Sequence, residues 1–322
     1  MARRTLPWLV GGAALVAAPW LAAALVPGQQ RYILHILVFT WLVASLALSY
    51  DLVVGHVGSL SLAHPAFFGI GAYTAALLAT RAGWPFLGGL AAAMVGAGLA
   101  GLLIAVPVFR LTEHSFDIGT LGFAMVAHIV ATNWVELTRG PLCVTGIPRP
   151  ELPLGVVRLK LTTVPHYYWL ALVTLGVTAL LYHGLTTFRI GRALHAVRDN
   201  EVLAATAGID PLRYRMLVFV IGAMLAGGIG ALHAHYITVL CPEEMTIALT
   251  VNLLVIVFIG GMGSLRGVLV GAVLFTALPE ILRIAPTWRL VLYGGLLLAI
   301  VIRWPGGLEA ALQRSRSRRR QP

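Results

Sequence analysis

The chain has 322 residues, of which 59% are hydrophobic and 11% are charged, and its mean hydropathy is +0.88. This composition excludes a soluble domain and predicts an all-α polytopic membrane protein. The formal net charge of +11 is attributed to membrane topology and to attraction for lipid headgroups. Nucleic acid is excluded as a partner, because a chain of this composition has no soluble fold to present the charge.

Apolar runs that are long enough, or nearly long enough, to span a membrane recur along the whole chain. They lie at residues 6–26, 32–50, 62–80, 86–108, 116–137, 165–187, 216–239, 246–262, 268–283 and 290–303. The last three are shorter than the roughly 20 residues that a straight crossing needs, so they are candidates for broken or re-entrant helices. The sequence therefore predicts about ten membrane segments in a single transmembrane domain, residues 1–322.

The basic residues set the expected orientation, because positively charged loops stay on the cytoplasmic side of a membrane. The opening MARR and the apolar run behind it are interpreted as an uncleaved first span, since that run is longer than the core of a usual secretory signal. With an even number of crossings, most basic residues then lie inside, including five arginines in residues 189–215 and the arginine-rich tail. The N- and C-termini are therefore expected in the cytoplasm.

Glycine and proline interrupt the apolar pattern of residues 55–78, GHVGSLSLAHPAFFGIGAYTAALL. Non-helical backbone at membrane depth is tolerated where it is buried in protein or lines a cavity, and its freed polar groups can contact a solute. The candidate substrate-pathway residues of this stretch are Gly58, Ser59, Ser61, His64, Gly69, Gly71 and Tyr73. The alternative is that the glycines serve close helix packing.

A fragment of this pattern recurs later in the chain. The hexapeptide GHVGSL at residues 55–60 resembles GGMGSL at residues 260–265. The recurrence favours two halves built on one plan, as in many transporters, and it adds Gly263 and Ser264 to the pathway candidates. Chance similarity in a chain rich in glycine and leucine is the alternative.

The longest polar stretch, residues 189–215, is predicted to be a cytoplasmic loop with a short helix. Asp199 or Asn200 can cap a helix over residues 201–207, Gly208 is suited to a left-handed end, and Pro211 bars continuation. Five apolar positions form a stripe on this basic surface: Leu194, Val197, Val202, Ala205 and Ile209. A docking surface for a cytoplasmic partner and a merely solvated connector are the two interpretations.

The single lysine excludes one site of ATP hydrolysis. A phosphate-binding P-loop ends in Gly-Lys-Ser or Gly-Lys-Thr. Lys160 lies between Leu159 and Leu161, so the chain contains no P-loop. If ATP drives this protein, a different polypeptide hydrolyses it.

Both cysteines, Cys143 and Cys241, are expected in outside loops, where an oxidising compartment allows disulfides to persist. That location permits a bridge but does not require one. Two free thiols are the default expectation.

Several motifs in one order resemble a known family. Residues 61–78, SLAHPAFFGIGAYTAALL, are similar to the signature of the M-type permease subunit of the branched-chain amino acid (leucine/isoleucine/valine) ABC transporter family. Further similarity lies in residues 191–201, GRALHAVRDNE, and residues 260–267, GGMGSLRG. Pro65 and Cys143 depart from the usual family pattern.

The resemblance implies a permease of the bacterial inner membrane that imports solute and carries no cofactor, metal or catalytic residue of its own. Its expected partners are a second, H-type permease, two ATP-binding subunits and a periplasmic binding protein. The 189–215 loop resembles the EAA-type coupling segment that docks in the ATPase, with Arg192, Glu201, Ala204, Ala205, Gly208 and Ile209 as coupling residues. The glutamate of that pattern falls on Val202, so only Ala204 to Gly208 matches directly. Members also carry urea, short amides and other amino acids.

The rival class is an ion-coupled secondary transporter of a small polar solute, which would need ionisable groups inside the membrane. The candidates are Asp51, Asp117, Glu136, Glu280, His64 and His128. Most of these carboxylates fall near predicted span ends, where solvation at the interface is expected. A membrane-embedded enzyme is disfavoured because His233 and His235 lack Cys or carboxylate ligands at useful spacing.

Overall fold

The computed structural model describes residues 29–111, 113–154, 157–160 and 163–281, together with single positions near both ends of the chain. In chain order its helices are α1 (Gln30–Asp51), α2 (His64–Arg81), α3 (Phe86–Val108), α4 (Glu113–Asn133), α5 (Val135–Thr138), α6 (Val164–Thr187), α7 (Arg189–Asp199), α8 (Glu201–Thr206), α9 (Pro211–Ile237), α10 (Ile247–Gly260) and α11 (Leu265–Ile281). Two small antiparallel ribbons pair β1 (Val144–Thr145) with β4 (Val239–Leu240) and β2 (Glu151–Leu154) with β3 (Val157–Lys160). The predicted all-α class is confirmed.

Within the described residues, five helices are long and apolar enough to cross a membrane. They are Gln30–Val57, Phe86–Val108, His114–Asn133, Val164–Thr187 and Pro211–Ile237. Two shorter apolar helices, Ile247–Gly260 and Leu265–Ala277, coincide with the eighth and ninth predicted segments. The predicted segments at residues 6–26 and 290–303 lie outside the described residues apart from single positions. The chain is a multi-pass membrane protein.

The predicted interruption after α1 is present, but it is shorter than expected. α1 continues into a wider, π-helical turn over Leu52–Val57 and stops at Gly58, whose φ of 80° is accessible to glycine at little cost. Residues 58–63 are non-helical, and α2 begins at His64. Gly69 and Gly71, the later glycines of the same stretch, lie inside the regular helix α2 and do not interrupt it.

Neighbouring helices hold the non-helical backbone of residues 58–63, which we call the first break. The Leu62 N–H donates to Thr120 Oγ1 of α4 at 3.1 Å, and the Leu62 carbonyl accepts from Thr250 Oγ1 of α10 at 3.5 Å. Buried backbone groups at membrane depth need such partners because lipid offers none. At Leu62, therefore, the freed backbone groups bind protein.

Small residues let α9 pack closely between α2 and α3. A side chain at Gly71 of α2 would collide with the backbone of Gly227 on α9, and a side chain at Gly227 would collide with Ala97 on α3. Close approach increases dispersion contact between helices in lipid, where the hydrophobic effect contributes little to association. Gly71 thus has the packing environment that the sequence left as the alternative to a pathway role.

A second break, residues 261–264, separates α10 from α11. Gly261 and Gly263 have φ of 113° and 73°. Ser264 Oγ accepts from the Gly267 N–H at 3.1 Å and so caps the start of α11. The similar hexapeptides 55–60 and 260–265 therefore lie at like places, each at the end of one apolar helix and before the next.

Cys143 and Cys241 form a disulfide, which corrects the expectation of two free thiols. Cys143 immediately precedes β1 and Cys241 immediately follows β4. Val144 pairs with Leu240 and Thr145 pairs with Val239, so the ribbon brings the two cysteines together with their Cα atoms 4.5 Å apart. The cysteines are 98 residues apart, and the two-residue strands that join them leave no readable sequence pattern, so the sequence does not predict the pairing.

Candidate functional site

The loop between α6 and α9 folds as the two helices α7 and α8. Asn200 is the N-cap of α8, because its Oδ1 accepts from the Leu203 N–H at 3.0 Å. Gly208 has a φ of 82°, which confirms the predicted left-handed residue after the helix. The helix ends at Thr206, one residue earlier than predicted. Pro211 is the first residue of α9, a position where its missing N–H costs nothing.

The apolar stripe predicted along this loop is wrong in part. Leu194 and Val197 of α7 are buried, because α7 lays its apolar face against the membrane helices. Val202 and Leu203 of α8 are 75% and 68% exposed. The exposed apolar surface is therefore the first turn of α8, and Leu203 is a member that the sequence pattern missed.

The coupling candidates do not share one environment. Ala204 is buried, so it supports the helix from beneath and cannot be part of its outer face. Arg192, Ala205 and Gly208 are exposed, and Ile209 is partly buried. Glu201 forms a salt bridge with Arg215 of α9 at 3.0 Å, which ties the start of α8 to the end of the loop.

A cavity of about 680 Å³ connects the loop with the first break. Its polar side is formed by Arg198 and Arg215 with Glu201, and Gly58 and Ser59 of the break lie along it. The apolar side is formed by Val54, Val57, Leu60, Phe109, Leu111, Phe116, Phe258 and Met262. Arg198 also donates a hydrogen bond to the carbonyl oxygen of Gly55. Two of the predicted pathway residues and one predicted coupling residue thus meet in one cavity.

Asp51 is buried in protein, which contradicts the expectation that it is solvated at the membrane interface. Its side chain is 0% exposed at the end of α1. Tyr182 of α6 donates its hydroxyl to Asp51 Oδ2 at 2.5 Å, and the Gly263 N–H donates to Asp51 Oδ1 at 3.0 Å. Hydrogen-bond donors from helix α6 and from the non-helical second break replace water around this carboxylate, which hydropathy alone does not reveal.

The remaining pathway candidates lie away from the cavity, against protein. Ser61 Oγ accepts from the Ala63 N–H at 3.4 Å, and His64 Nε2 is hydrogen-bonded to Ser49 Oγ at 2.9 Å. A side chain at Gly69 would collide with the Met245 side chain. Tyr73 is buried farther along α2. Side chains on this part of α2 therefore meet neighbouring protein.

The other ionisable candidates do not converge on one site among the described residues. His128 Nδ1 is hydrogen-bonded to the Pro242 carbonyl at 3.0 Å, and His235 Nδ1 to the Pro148 carbonyl at 2.8 Å. The side chain of Glu280 is outside the described part. Among the described residues, side chains of the types that bind metals cluster at Cys143, Cys241 and Glu243. Both sulfurs of this cluster are already bonded to each other in the disulfide.

Comparison with known proteins gives a consistent picture. A family model described as the branched-chain amino acid transport system / permease component matches residues 32–301. The chain is 32% identical, over 298 residues that cover 87% of it and 70% of the relative, to the high-affinity branched-chain amino acid transport system permease protein LivM of Salmonella typhimurium and equally to that of Escherichia coli. It is 28% identical to the permease protein LivH of Escherichia coli over 72% of this chain and 78% of that protein. No solved structure was found to match.

Proposed function

The chain belongs to the branched-chain amino acid transport system permease family and is a transmembrane permease subunit of an ABC importer, and we propose that branched-chain or related amino acids are its solute. With a second, H-type permease it forms the pathway across the bacterial inner membrane. Similarity to both LivM and LivH supports a pair of related permeases. ATP hydrolysis belongs to separate subunits.

The observation that carries the coupling role is the exposed apolar turn of α8. Val202 and Leu203 project from a loop rich in arginine, outside the apolar helices. Adjacent apolar side chains exposed to water are characteristic of a surface that binds another protein. We infer that this turn docks in a cleft of one of two ATP-binding subunits, and that Ala205, Gly208 and Ile209 shape it. A periplasmic binding protein delivers solute to the opposite face.

The positions of the loop and the disulfide support the proposed orientation. The loop ends where α9 begins, and the Cys143–Cys241 bridge lies just beyond the other end of α9. A helix of 27 residues is about 40 Å long, enough to cross a bilayer. A bridge persists on the oxidising side, so the loop faces the cytoplasm. We retain the proposal of about ten segments with both termini in the cytoplasm.

We propose pathway residues in the two helix breaks and along α2. Gly58 and Ser59 are proposed to line its cytoplasmic end, since both border the cavity beside the coupling loop. Gly263 and Ser264 lie in the second break near the same end. Ser61 lies in the first break, and His64, Gly69, Gly71 and Tyr73 continue along α2, where movement of the packed helices would have to open a path.

Reconstitution tests the proposal. The chain would be co-purified with an H-type permease and ATP-binding subunits, placed in vesicles with binding protein, and assayed for leucine uptake. We expect uptake that requires ATP and the binding protein. Uptake driven by a proton or sodium gradient in vesicles without any ATP-binding subunit would instead establish an ion-coupled secondary transporter.

A further inference from the structure

One carboxylate in the membrane region receives hydrogen bonds from two distant parts of the chain. Asp51 is fully buried, and its two oxygens accept separately from Tyr182 of α6 and from the backbone of Gly263 in the second break. These partners lie 131 and 212 residues along the chain from Asp51. A buried carboxylate loses its hydration, so it is tolerated where fixed donors replace water. Asp51 therefore links α1, α6 and the second break.

The first of the two similar hexapeptides, residues 55–60, lies against the Asp51 carboxylate. A side-chain carbon at Gly55 would be 2.6 Å from the Gly263 nitrogen and would also collide with the Asp51 carboxylate. Gly55 must lack a side chain for the two similar hexapeptides to touch. Residues 55–60 and 260–265 are thus in direct contact across Asp51.

The coupling loop reaches this point through α7. Arg198 donates to the carbonyl oxygen of Gly55, and its guanidinium lies close enough to interact electrostatically with Asp51. The ring centroids of His195 of α7 and His56 are 5.7 Å apart, and those of His56 and Tyr182 are 5.3 Å apart. α7 is therefore attached to the end of α1 by one hydrogen bond and one chain of aromatic rings.

We propose that Asp51 is a positioning residue of the transport cycle, which makes the coupling loop and both helix breaks move as one body. We call Asp51, Gly55, Tyr182, Arg198 and Gly263 the Asp51 junction. Displacement of α7 pulls on the Gly55 carbonyl through Arg198, and Asp51 carries the second break with the first because it holds the Gly263 N–H. The inference rests on the proposed function, in which α7 and α8 receive the movement of the ATPase.

The test is the ratio of solute transported to ATP hydrolysed by the reconstituted complex. Tyr182→Phe removes one donor to Asp51, and Asp51→Asn removes the charge with little change of shape. We expect ATP hydrolysis to continue in both while the ratio falls about tenfold, the size expected for one hydrogen bond to a charged group. Because both changes act on one interaction, the double variant should lose less than the product of the single losses.

Tyr50→Phe is the matched control, since Tyr50 precedes Asp51 directly on α1 and its buried hydroxyl makes no hydrogen bond with any residue that the structure describes. Its ratio should equal that of the unchanged protein. A ratio in Tyr182→Phe that stays equal to the control, or transport and hydrolysis that fall together, would overturn the junction while leaving the importer function intact. Absence of ATP-dependent transport in the unchanged complex would instead contradict the proposed function itself.

Discussion

At the residue scale, Gly208 and Gly58 are glycines because of backbone conformation, whereas Gly71 is a glycine because of a neighbour. The first two have positive φ, and a side chain on them would meet either open space or ordinary contact. Gly71 has ordinary helical geometry but abuts the backbone of Gly227. Substitutions at the two kinds of site should therefore fail for different reasons, strain in the first case and steric exclusion of a helix in the second.

Gly208→Val should uncouple the ATPase without harming insertion. The φ of 82° strains a β-branched residue by ~1–2 kcal/mol, and no other atom lies within 4 Å of the added carbon to cause a clash. The strain acts on the turn that ends α8 and so redirects Val202 and Leu203. The measurement is solute-stimulated ATPase activity of the purified complex. Gly208→Asn is the control: asparagine tolerates the left-handed region, so its stimulated ATPase activity should stay close to that of the unchanged protein. If Gly208→Val and Gly208→Asn had equal stimulated activity, the loop would be interpreted as a solvated connector.

Gly58→Val should reduce transport while membrane abundance stays near normal. Its φ of 80° ends the π-helical turn, and an added carbon would lie 3.6 Å from Arg198 Cγ, so backbone strain of ~1–2 kcal/mol is the main cost. The altered turn would narrow the cavity beside Ser59. Uptake and immunoblotting of membranes check this. Gly122→Val, where the added carbon meets nothing, is the control; loss of the Gly58 variant from the membrane would favour a packing role.

At the element scale, the two short helices of the loop have opposite tasks. α7 buries Leu194 and Val197 against the membrane helices, and its Arg198 donates to Gly55 in the π-helical turn that follows α1. α8 buries only Ala204 among its residues and exposes Val202 and Leu203. The first helix is thus anchored in the permease, and the second is free to bind a partner.

Val202→Asp and Leu203→Asp should each weaken association with the ATP-binding subunit about tenfold or more, equivalent to at least ~1.4 kcal/mol. A carboxylate placed in a desolvated apolar contact has no compensating partner. Pull-down of the ATPase with increasing salt and detergent gives the measurement. Arg213→Ala is the control in the same loop, because it removes only an exposed ion pair with Asp210. Unchanged association of both Asp variants would contradict docking through α8.

The sequence was sufficient for features that depend on neighbours along the chain. The Asn200 cap, the left-handed Gly208 and the break near Gly58 follow local rules of capping and glycine conformation. Long-range partners were not predictable: nothing in the pattern around Asp51 indicates Tyr182, and two-residue strands do not reveal the Cys143–Cys241 pairing. For Gly69 and Gly71 the sequence left a pathway role and close helix packing both open, because a glycine that packs against another helix and a glycine that breaks one look alike in sequence.

At the scale of the whole molecule, α9 runs between two regions, the 189–215 loop at one end and the disulfide-bridged loops at the other. Its N-terminal end receives the coupling loop through the Glu201–Arg215 salt bridge, and its C-terminal end continues into β4 and the disulfide. The cavity and both helix breaks meet near the N-terminal end of α9, where the 189–215 loop lies. The β1–β4 ribbon lies at the C-terminal end of α9. A movement of α7 and α8 would thus act first on the end of the proposed pathway beside the 189–215 loop, far from the bridged loops.

The arrangement of these two faces can be read from the cysteines. Because both thiols are in a disulfide, membrane-impermeant maleimide added to intact spheroplasts should not label the unchanged chain, whereas labelling should appear at both residues after mild reduction. The Cys143→Ser Cys241→Ser variant is the control for background labelling. It should also unfold at a lower temperature, since removal of a bridge that closes a loop of this length typically costs ~2–5 kcal/mol. Labelling without reduction would contradict the bridge. Labelling only from the cytoplasmic face of inverted vesicles would reverse the orientation and with it the assignment of the 189–215 loop to the ATPase side.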